Sequence, residues 1–372
     1  MVEGKERRRL VLVGAGHSHL PLLGDLGPFL RRGCGVTLIA PDGFWYSGMG
    51  PGVLSETYQS QDSFVDTASL VQRQGGESVC DVVRRIHFAD RRVELGSGRS
   101  IPYDLLSVNV GSGVPVDAVE GAAEHGWTVK PIENLSRLRD AVRARAARGG
   151  CIRLVAAGGG AAGCEVVINL WHLVHRLGAT AEMTLVVPGG GLLKAEGSAA
   201  GRRVRREMDR LGIEVRDGRV TAADARGVVL EDGDALAADF CVIATGVRPP
   251  TLFRESGLPV GGDGALLVNH QLQSVRAPEI FGAGDCITFG QAPPPRVGVY
   301  AVRESKVLRH NLLATLDGHR LSAFTPGKPY LLILNLGDGR GLLLWKGRAW
   351  GGGRWTFRLK HLLDRRFVER FR

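Results

Sequence analysis

Two glycine-rich segments, each directly after a short apolar run, constrain the fold of this 372-residue chain more than any other feature. The first run, Leu10 to Val13, leads into Gly14-Ala15-Gly16-His17-Ser18-His19. The second run, Ile152 to Ala157, is interrupted only by Arg153 and leads into Gly158-Gly159-Gly160-Ala161-Ala162-Gly163-Cys164-Glu165. Both match the strand, tight turn and helix that bind a dinucleotide, where glycines let backbone N–H groups approach the pyrophosphate. One such fingerprint is a weak signal, but two of them, a domain length apart, predict two nucleotide cofactors.

The order of the predicted elements repeats along the chain, which strengthens this interpretation. The first unit has a strand ending at Val13, followed by a helix over about 18–31, a strand over 35–40, a Gly/Pro/aromatic loop over 41–57 and a β-meander over about 79–110. The second unit has a strand over 152–157, followed by a helix near 162–177, a strand over 183–187, a helix near 198–211 and a meander near 213–240. We expect two similar domains.

The predicted fold class is therefore α/β, with two Rossmann-like three-layer domains, β-meander insertions and a C-terminal segment. An apolar strand at 280–283 and a helix over about 297–316 indicate that the chain returns to the first domain. The predicted boundaries are 7–115 and 247–325 for the first domain, 116–246 for the second domain and 326–372 for the basic C-terminal segment.

Two further motifs carry a family resemblance: Ala244-Thr245-Gly246-Val247-Arg248-Pro249 and Ile280-Phe281-Gly282-Ala283-Gly284-Asp285. With both fingerprints, they make residues 8 to about 316 resemble the FAD-containing pyridine-nucleotide oxidoreductase superfamily. Within it the chain is similar to type II NADH:quinone dehydrogenases and sulfide:quinone oxidoreductases. Segments 16–19, 46–52 and 299–304 look closer still to the NADH-dehydrogenase-like module found ahead of selenophosphate synthetase in some fused proteins. The resemblance implies an enzyme that passes a hydride from NAD(P)H to FAD and reduces a small acceptor such as a quinone.

The resemblance also implies roles for individual residues. It assigns the first fingerprint to FAD, the second to the nicotinamide nucleotide, and Asp285 to the ribityl chain of FAD. A helix starting near Val297 would point its positive end at the flavin. Glu165 is the candidate catalytic residue, tuning the flavin or relaying protons, although an acid in a first helical turn also favours the helix dipole. The predicted cofactor-binding residues are Gly14, Ala15, Gly16, His17, Ser18, Pro41, Gly111, Gly158, Gly160, Gly163, Gly246, Gly284, Asp285 and Val297.

Both fingerprints depart from the usual pattern. His19 replaces the third glycine of the first, and the acid expected at the end of the next strand comes one step late, as Asp42. In the second unit the strand ends in Pro188-Gly189-Gly190 with no acid to hold a ribose hydroxyl. Arg202 and Arg203 could meet a 2′-phosphate or could be ordinary surface arginines. The sequence does not decide whether the nucleotide is NADH or NADPH.

The six cysteines show neither a CxxC pair nor metal-ligand spacing, so we predict no metal site. Residues 43–57 contain no cysteine. Relatives of the glutathione-reductase type carry a CxxxxC redox pair in this loop, so the flavin is expected to pass electrons directly. Cys164 lies close to a cysteine used by sulfide:quinone enzymes and would have a lowered pKa in a first helical turn. Two alternative functions remain: a sulfide- or selenium-compound oxidoreductase with Cys164 as its reactive thiol, or a flavin-bound partner module without turnover. The alternative role of Cys164 is that of a small residue that packs the helix against the sheet.

Charge is concentrated at the end of the chain. Residues 340–372 contain ten Lys or Arg and two Asp or Glu, which predicts an anionic partner. Tryptophans among these charges favour a bilayer interface over nucleic acid. Six apolar residues fall on one helical face, directed either to a membrane or to the protein's own sheet: Trp355, Leu359, Leu362, Leu363, Phe367 and Phe371. No apolar stretch is long enough to span a bilayer, and the basic residues at 5–9 precede too short an apolar run for a signal peptide. We expect a cytoplasmic protein, with peripheral contact at the inner membrane face as an option.

Overall fold

The computed structural model of the chain describes residues 8–290, 295–327 and 329–372. The predicted domain start at residue 7 and the basic residues 5–7 lie outside this description. Five parallel strands form the first sheet, in the order Ile280–Gly282, Leu105–Val108, Arg9–Val13, Gly35–Ile39 and Glu77–Val79. The central strand ends with Val13 level with Ile39 on one side and Val108 on the other. The first fingerprint therefore begins at the carboxyl edge of this sheet.

The second sheet repeats this arrangement with five parallel strands, in the order Gly126–Thr128, Phe240–Ile243, Cys151–Ala157, Thr180–Val187 and Glu214–Asp217. Helices Glu133–Ala146, Ala161–Arg176 and Ser198–Leu211 belong to this part of the chain. Alternate residues of the central strand face opposite layers: Leu154 packs in the core with the helices, and Val155 packs with the meander. Burial on both faces explains the unbroken apolar runs Leu154 to Ala157 and Phe240 to Ile243 in the middle of this sheet.

An antiparallel meander accompanies each sheet. The first comprises Val83–His87, Arg92–Leu95 and Ser100–Pro102, and the second comprises Val220–Asp224, Gly227–Leu230 and Ala235–Ala237. In the second unit this gives three layers: helices, parallel sheet and meander. The predicted α/β fold class is confirmed.

Two predicted elements differ from the structure. The helix expected over about 18–31 is broken into Leu20–Leu23 and Gly27–Leu30. Pro21 and Pro28 each lie in a first helical turn, where the missing N–H costs nothing, whereas a continuous helix would place Pro28 in its interior. The expected loop over 41–57 contains strand Phe44–Trp45, the 3₁₀ turn Ser47–Met49 and helix Gly50–Leu54.

The C-terminal segment spans both domains. It consists of the antiparallel strands Leu332–Asn335, Gly341–Trp345 and Arg348–Gly353 and the helix Arg354–Glu369. Leu334 and Leu342 pack into the core of the second domain, while Val368 and Phe371 pack into that of the first. The segment thereby connects the two cores, and several of its residues line the cleft described below.

The remaining elements are a long helix, Gly298–Asp317, and shorter pieces. These are Ser60–Ser63, Phe64–Val65, Thr67–Arg73, Val116–Ala118, Ala122–His125, Pro188–Gly190, Leu252–Glu255, Leu266–Leu267, Gly284–Cys286 and Ile287–Thr288. Within the described ranges, no helix is both long enough and apolar enough to cross a bilayer.

Candidate functional site

Both fingerprints open onto one continuous cleft of about 1590 Å³ at the carboxyl edges of the two sheets. Pockets for a single drug-sized ligand measure roughly 300–1,000 Å³, so this cleft has room for more than one. Thirteen of the fifteen predicted site residues line it: Gly14, Ala15, Gly16, His17, Pro41, Gly111, Gly158, Gly160, Glu165, Gly246, Gly284, Asp285 and Val297.

Ser18 and Gly163, the other two predicted residues, lie behind the cleft. The Ser18 N–H donates to Asn109 Oδ1 at 2.9 Å, and its hydroxyl donates to the Ala301 carbonyl at 2.7 Å. A Cβ on Gly163 would lie 1.9 Å from the Gly158 carbonyl oxygen, so only glycine lets this helix approach the turn. Both residues therefore hold a fingerprint in shape instead of facing the cleft.

Asn109, which the sequence analysis did not assign to the site, connects three segments around the first fingerprint. Its Oδ1 accepts from the Ser18 N–H, and its Nδ2 donates to the Ala283 carbonyl at 2.6 Å. A Cβ on Gly16 would lie 2.4 Å from Asn109 Oδ1, so the turn and this amide fit closely. The available signal was a polar residue at the end of the apolar strand Leu105–Val108.

His19 replaces the third glycine because its ring has a structural role of its own. Nδ1 lies 2.6 Å from the Gly14 carbonyl oxygen, and Nε2 lies 2.8 Å from Ser107 Oγ. A carbonyl can only accept, so Nδ1 carries the proton and Nε2 accepts from the Ser107 hydroxyl. Burial lowers the pKa of His19 to about 4, which keeps the ring neutral. The ring joins the turn to the neighbouring strand.

Asp285 lies in an ion pair with Lys130, a residue that the sequence analysis missed. Asp285 Oδ2 accepts from Lys130 Nζ at 2.8 Å and from the Ser112 hydroxyl at 2.8 Å. Burial alone would raise the pKa of Asp285, but the Lys130 charge and these two hydrogen bonds outweigh it and hold the pKa below its ordinary value. Asp285 is therefore a stable carboxylate that can accept hydrogen bonds from hydroxyl groups in the cleft.

Three aromatic rings surround His17 in the cleft and form an aromatic wall. The ring centroid of His17 lies 4.8 Å from that of Phe44 and 5.6 Å from that of Tyr46, and Phe367 of the terminal helix completes the group. Burial lowers the pKa of His17 to about 4. At neutral pH this histidine is uncharged, so it offers the cleft a flat neutral surface and not a cation.

Glu165 lies at the junction of the second fingerprint and the C-terminal segment. Its Oε1 accepts from the Asn335 N–H at 2.6 Å. Burial raises the pKa of Glu165 to about 7, although the nearby Lys360 charge and this hydrogen bond oppose the rise. The carboxyl group is thus balanced between its protonated and ionised forms near neutral pH, as a proton-relaying group requires.

The terminal helix places a buried ion pair next to the aromatic wall around His17. Lys360 Nζ donates to Asp364 Oδ2 at 2.6 Å and to the Gly48 carbonyl at 2.7 Å, and the Tyr46 hydroxyl donates to Asp364 Oδ1 at 3.1 Å. Both charged residues line the cleft. The sequence signal for this pair was the Lys–Asp spacing of four residues. The sequence analysis instead assigned importance to the apolar face of this helix.

The acid and the two arginines considered for ribose recognition bind other groups of the chain or lie at the surface. Asp42 lines the cleft, but its carboxylate accepts from the Gly43 N–H at 2.7 Å and from Trp45 Nε1 at 3.0 Å, within its own loop. Arg202 is exposed, and Arg203 donates to the Gly351 carbonyl of the C-terminal segment at 3.4 Å. These contacts do not bring either arginine to Pro188, at the strand end where the ribose would be recognised.

Cys164 is fully buried, and its thiol points to the Gly159 carbonyl at 3.6 Å. Burial raises the pKa of this thiol well above its ordinary value, which disfavours the thiolate that a sulfur-transfer reaction needs. This finding favours the packing role over the reactive one. Among the described residues, no group of three or more His, Cys, Asp or Glu side chains is arranged to hold a metal ion.

Residues 8–305 match the family described as pyridine nucleotide-disulphide oxidoreductase. An NADH dehydrogenase-like protein of Mycobacterium tuberculosis is 32% identical over 208 residues, covering 52% of this chain and 51% of that protein. A type II NADH:quinone oxidoreductase of Haemophilus influenzae is 28% identical over 188 residues, covering 46% of this chain and 42% of that protein. The chain thus spans about half the length of the curated relatives it matches.

Solved structures resemble the chain over almost its whole length. The sulfide:quinone oxidoreductase of Aquifex aeolicus has a TM-score of 0.82 at 18% identity, covering 98% of this chain and 91% of that one. The NDH2 of Plasmodium falciparum, solved in complex with NADH, has a TM-score of 0.81 at 13% identity and covers 98% of both chains. At such identities the similarity establishes the fold, including that of the C-terminal segment.

Proposed function

Because the chain belongs to the pyridine nucleotide-disulphide oxidoreductase family, we propose that it is an FAD-dependent enzyme that oxidises NAD(P)H and reduces a quinone-like acceptor. The observation that carries the proposal is that both dinucleotide fingerprints line one cleft. Hydride transfer needs its two partners in contact, and a shared cleft allows this.

The residues at the first fingerprint fit FAD. Gly14 has a φ of +84°, and a Cβ there or on Gly16 would collide with Asn109, so the backbone itself forms the surface that a pyrophosphate approaches. Asp285 would accept hydrogen bonds from the ribityl hydroxyls, and Lys130 beside it places a positive charge in the cleft. The helix Gly298–Asp317 begins at the cleft, where its N-terminal end favours negative charge. When bound, FAD supplies the capacity to accept a hydride and release electrons.

The chain's own residues supply binding and proton handling. Gly158, Gly160 and Gly163 shape the turn for the nicotinamide nucleotide, and Glu165, two residues beyond them, holds or releases a proton at its carboxyl oxygens near pH 7. No cysteine pair lies in residues 43–57, so electron transfer does not pass through a dithiol in that loop.

A flat, largely apolar acceptor would fit against the wall of the cleft that is formed by Phe44, Tyr46, Leu363 and Phe367. The Lys360–Asp364 pair lies in this wall and offers a hydrogen-bond donor to an acceptor oxygen. An aromatic ring system with carbonyl oxygens, as in a quinone, combines these two requirements.

The proposal is tested by anaerobic titration of the purified flavoprotein. We expect NADPH or NADH to bleach the flavin absorption at about 450 nm, since the cofactor brings its own redox chemistry, and we expect a soluble quinone to restore it. Reduction by dithionite is the control for a reducible flavin. A flavin that dithionite reduces but neither nucleotide does would contradict the proposal and favour a partner module without turnover.

We also propose that the protein contacts an anionic membrane surface through the exposed side of the terminal helix. Trp355 and Leu362 are 58% and 60% exposed there, beside the arginines of residues 354–372. Exposed tryptophan and leucine among cations are typical of interfacial helices. The helix docks on the protein through Lys360, Asp364 and Val368, so this apolar side remains available.

Vesicle flotation checks this contact. We expect the protein to float with vesicles containing anionic lipid, and the doubly substituted Trp355→Ser/Leu362→Ser variant to bind at least about tenfold less, since each large apolar side chain is worth roughly 1.5–3 kcal/mol when buried. Val275→Ser, which removes an equally exposed apolar residue elsewhere, is the matched control. Equal flotation of the double variant and this control would refute the contact.

A further inference from the structure

We propose that the second nucleotide site selects NADPH over NADH, through Lys194 and Arg219. These two cations flank the loop that follows strand Thr180–Val187. The inference rests on the proposed function, since it names which donor that site accepts.

The side chain that distinguishes NAD from NADP in such folds stands at the end of the second strand of the nucleotide-binding unit. In NAD-binding sites an acid here accepts a hydrogen bond from the adenosine ribose 2′-hydroxyl, whereas a nearby cation accommodates a 2′-phosphate. This strand ends at Val187 and continues into Pro188, Gly189 and Gly190, none of which has a hydrogen-bonding side chain. Pro188 lines the cleft. The loop therefore offers nothing specific to a ribose hydroxyl.

Lys194 does not line the cleft itself, but it binds the backbone of Pro188, which does. Its Nζ donates to the Pro188 carbonyl at 3.0 Å, and a Cβ on Gly189 would lie 3.1 Å from the same Nζ. Across the described chain, no carboxylate forms an ion pair with Lys194, so its positive charge is not neutralised by a neighbour.

Arg219 approaches the strand end from the other side. The Gly218 N–H donates to the Val187 carbonyl at 3.4 Å, and Arg219 itself lines the cleft. Its Nε lies 3.6 Å from Glu231 Oε2, but both side chains are more than half exposed, so this pair is weak and water-screened. The guanidinium group can turn toward a phosphate at little cost.

The nearby acids do not fill the role of a ribose-binding carboxylate. Glu196 lines the cleft, and its charge helps to raise the pKa of both Cys164 and Tyr330. Burial also raises the pKa of Glu196. Asp217 ends the adjacent strand and is exposed outside the cleft lining.

Arg205 holds the loop in place without facing the cleft. It donates to the Gly190 carbonyl at 3.1 Å and to the Val215 carbonyl at 3.2 Å. We therefore assign Arg205 a positioning role and leave recognition to Lys194 and Arg219. A 2′-phosphate carries about −1.5 to −2 charges at pH 7. Lys194, which has no carboxylate partner among the described residues, and Arg219, whose pair with Glu231 is water-screened, therefore favour NADPH over NADH.

The test compares anaerobic flavin reduction by each donor in the wild type and in variants. Lys194→Met and Arg219→Met, singly and together, keep the aliphatic stems and remove the charges. We expect wild-type kcat/KM for NADPH to exceed that for NADH at least tenfold, and the double variant to lose at least tenfold with NADPH while NADH is unchanged. Arg202→Met, which removes one exposed charge from helix Ser198–Leu211, is the control.

The outcomes separate this inference from the proposed function. Equal use of the two donors by the wild type, or a double variant that behaves like Arg202→Met, would overturn the inference while leaving the function intact. If neither donor reduces the flavin, the function is refuted. Calorimetric binding then decides the inference, because tighter NADP⁺ than NAD⁺ binding supports it and equal binding overturns it.

Discussion

A Gly16→Ala variant is expected to purify without bound FAD, whereas the corresponding Gly160→Ala variant keeps it. The added Cβ on Gly16 would lie 2.4 Å from Asn109 Oδ1 and 2.8 Å from the Asn109 carbonyl oxygen. Asn109 cannot retreat without giving up its hydrogen bonds to Ser18 and Ala283. A Cβ on Gly160 meets nothing within 4 Å. We expect FAD affinity to fall at least about 100-fold in Gly16→Ala, which is about 2.8 kcal/mol.

The measurement is the flavin content of the purified variants and the dissociation constant after adding FAD. Circular dichroism and thermal unfolding of both variants separate loss of the cofactor from loss of the fold. Asp285→Asn provides a second variant that removes the charge paired with Lys130 without changing volume, and it should also weaken FAD binding. Stoichiometric, tight FAD in Gly16→Ala would show that the first fingerprint is not the flavin site.

A Glu165→Gln variant is expected to lose about 100-fold in acceptor reduction at neutral pH, within the range typical of a positioned acid or base. Because the pKa of Glu165 is about 7, the wild type holds its proton below pH 7 and loses it above. A quinone-like acceptor takes up protons with its electrons, so the wild-type rate should fall as the pH rises through 7. The variant should be slow throughout, with no inflection near pH 7.

Stopped-flow reoxidation of the reduced protein by a soluble quinone, from pH 5.5 to 9, measures this effect apart from hydride transfer. Glu165→Asp keeps an acid at the position and should recover part of the rate together with a pH inflection. An unchanged rate and pH profile in Glu165→Gln would show that Glu165 does not relay protons and only interacts favourably with the helix dipole.

The same carboxyl group affects stability. Its pKa in the folded chain is above the ordinary value of 4.5, so the folded state binds the proton more tightly than the unfolded state. This stabilisation is complete below pH 4.5 and is lost as the pH rises to 7. Unfolding by denaturant should therefore show a smaller loss of stability between pH 5 and pH 8 in Glu165→Gln than in the wild type.

The strands and fingerprints were predictable because their signals are local. Leu154 to Ala157 is buried on both faces of the sheet and is apolar throughout, and the glycines that follow are required by the turn itself. The broken helix after the first fingerprint was less predictable, since Pro21 is compatible with one long helix and only Pro28 argues against it.

The terminal helix shows where local pattern is insufficient. Its sequence has one broad apolar face, but the structure buries Lys360 and Asp364 and leaves Trp355 and Leu362 exposed. The charges are tolerated because they pair with each other and bond to Tyr46 and Gly48 on the first domain. No feature of the helix alone identifies those partners.

The sequence alone predicts two units of the same design, because a strand, a glycine turn and a helix are encoded within a few consecutive residues. The folded chain was needed to show that the two units share one cleft and that its lining includes Asn109, Lys130 and Lys360. These residues meet because segments that are distant in sequence pack together. Such packing depends on the complementary shape and hydrogen bonding of whole surfaces, which no short stretch of sequence specifies.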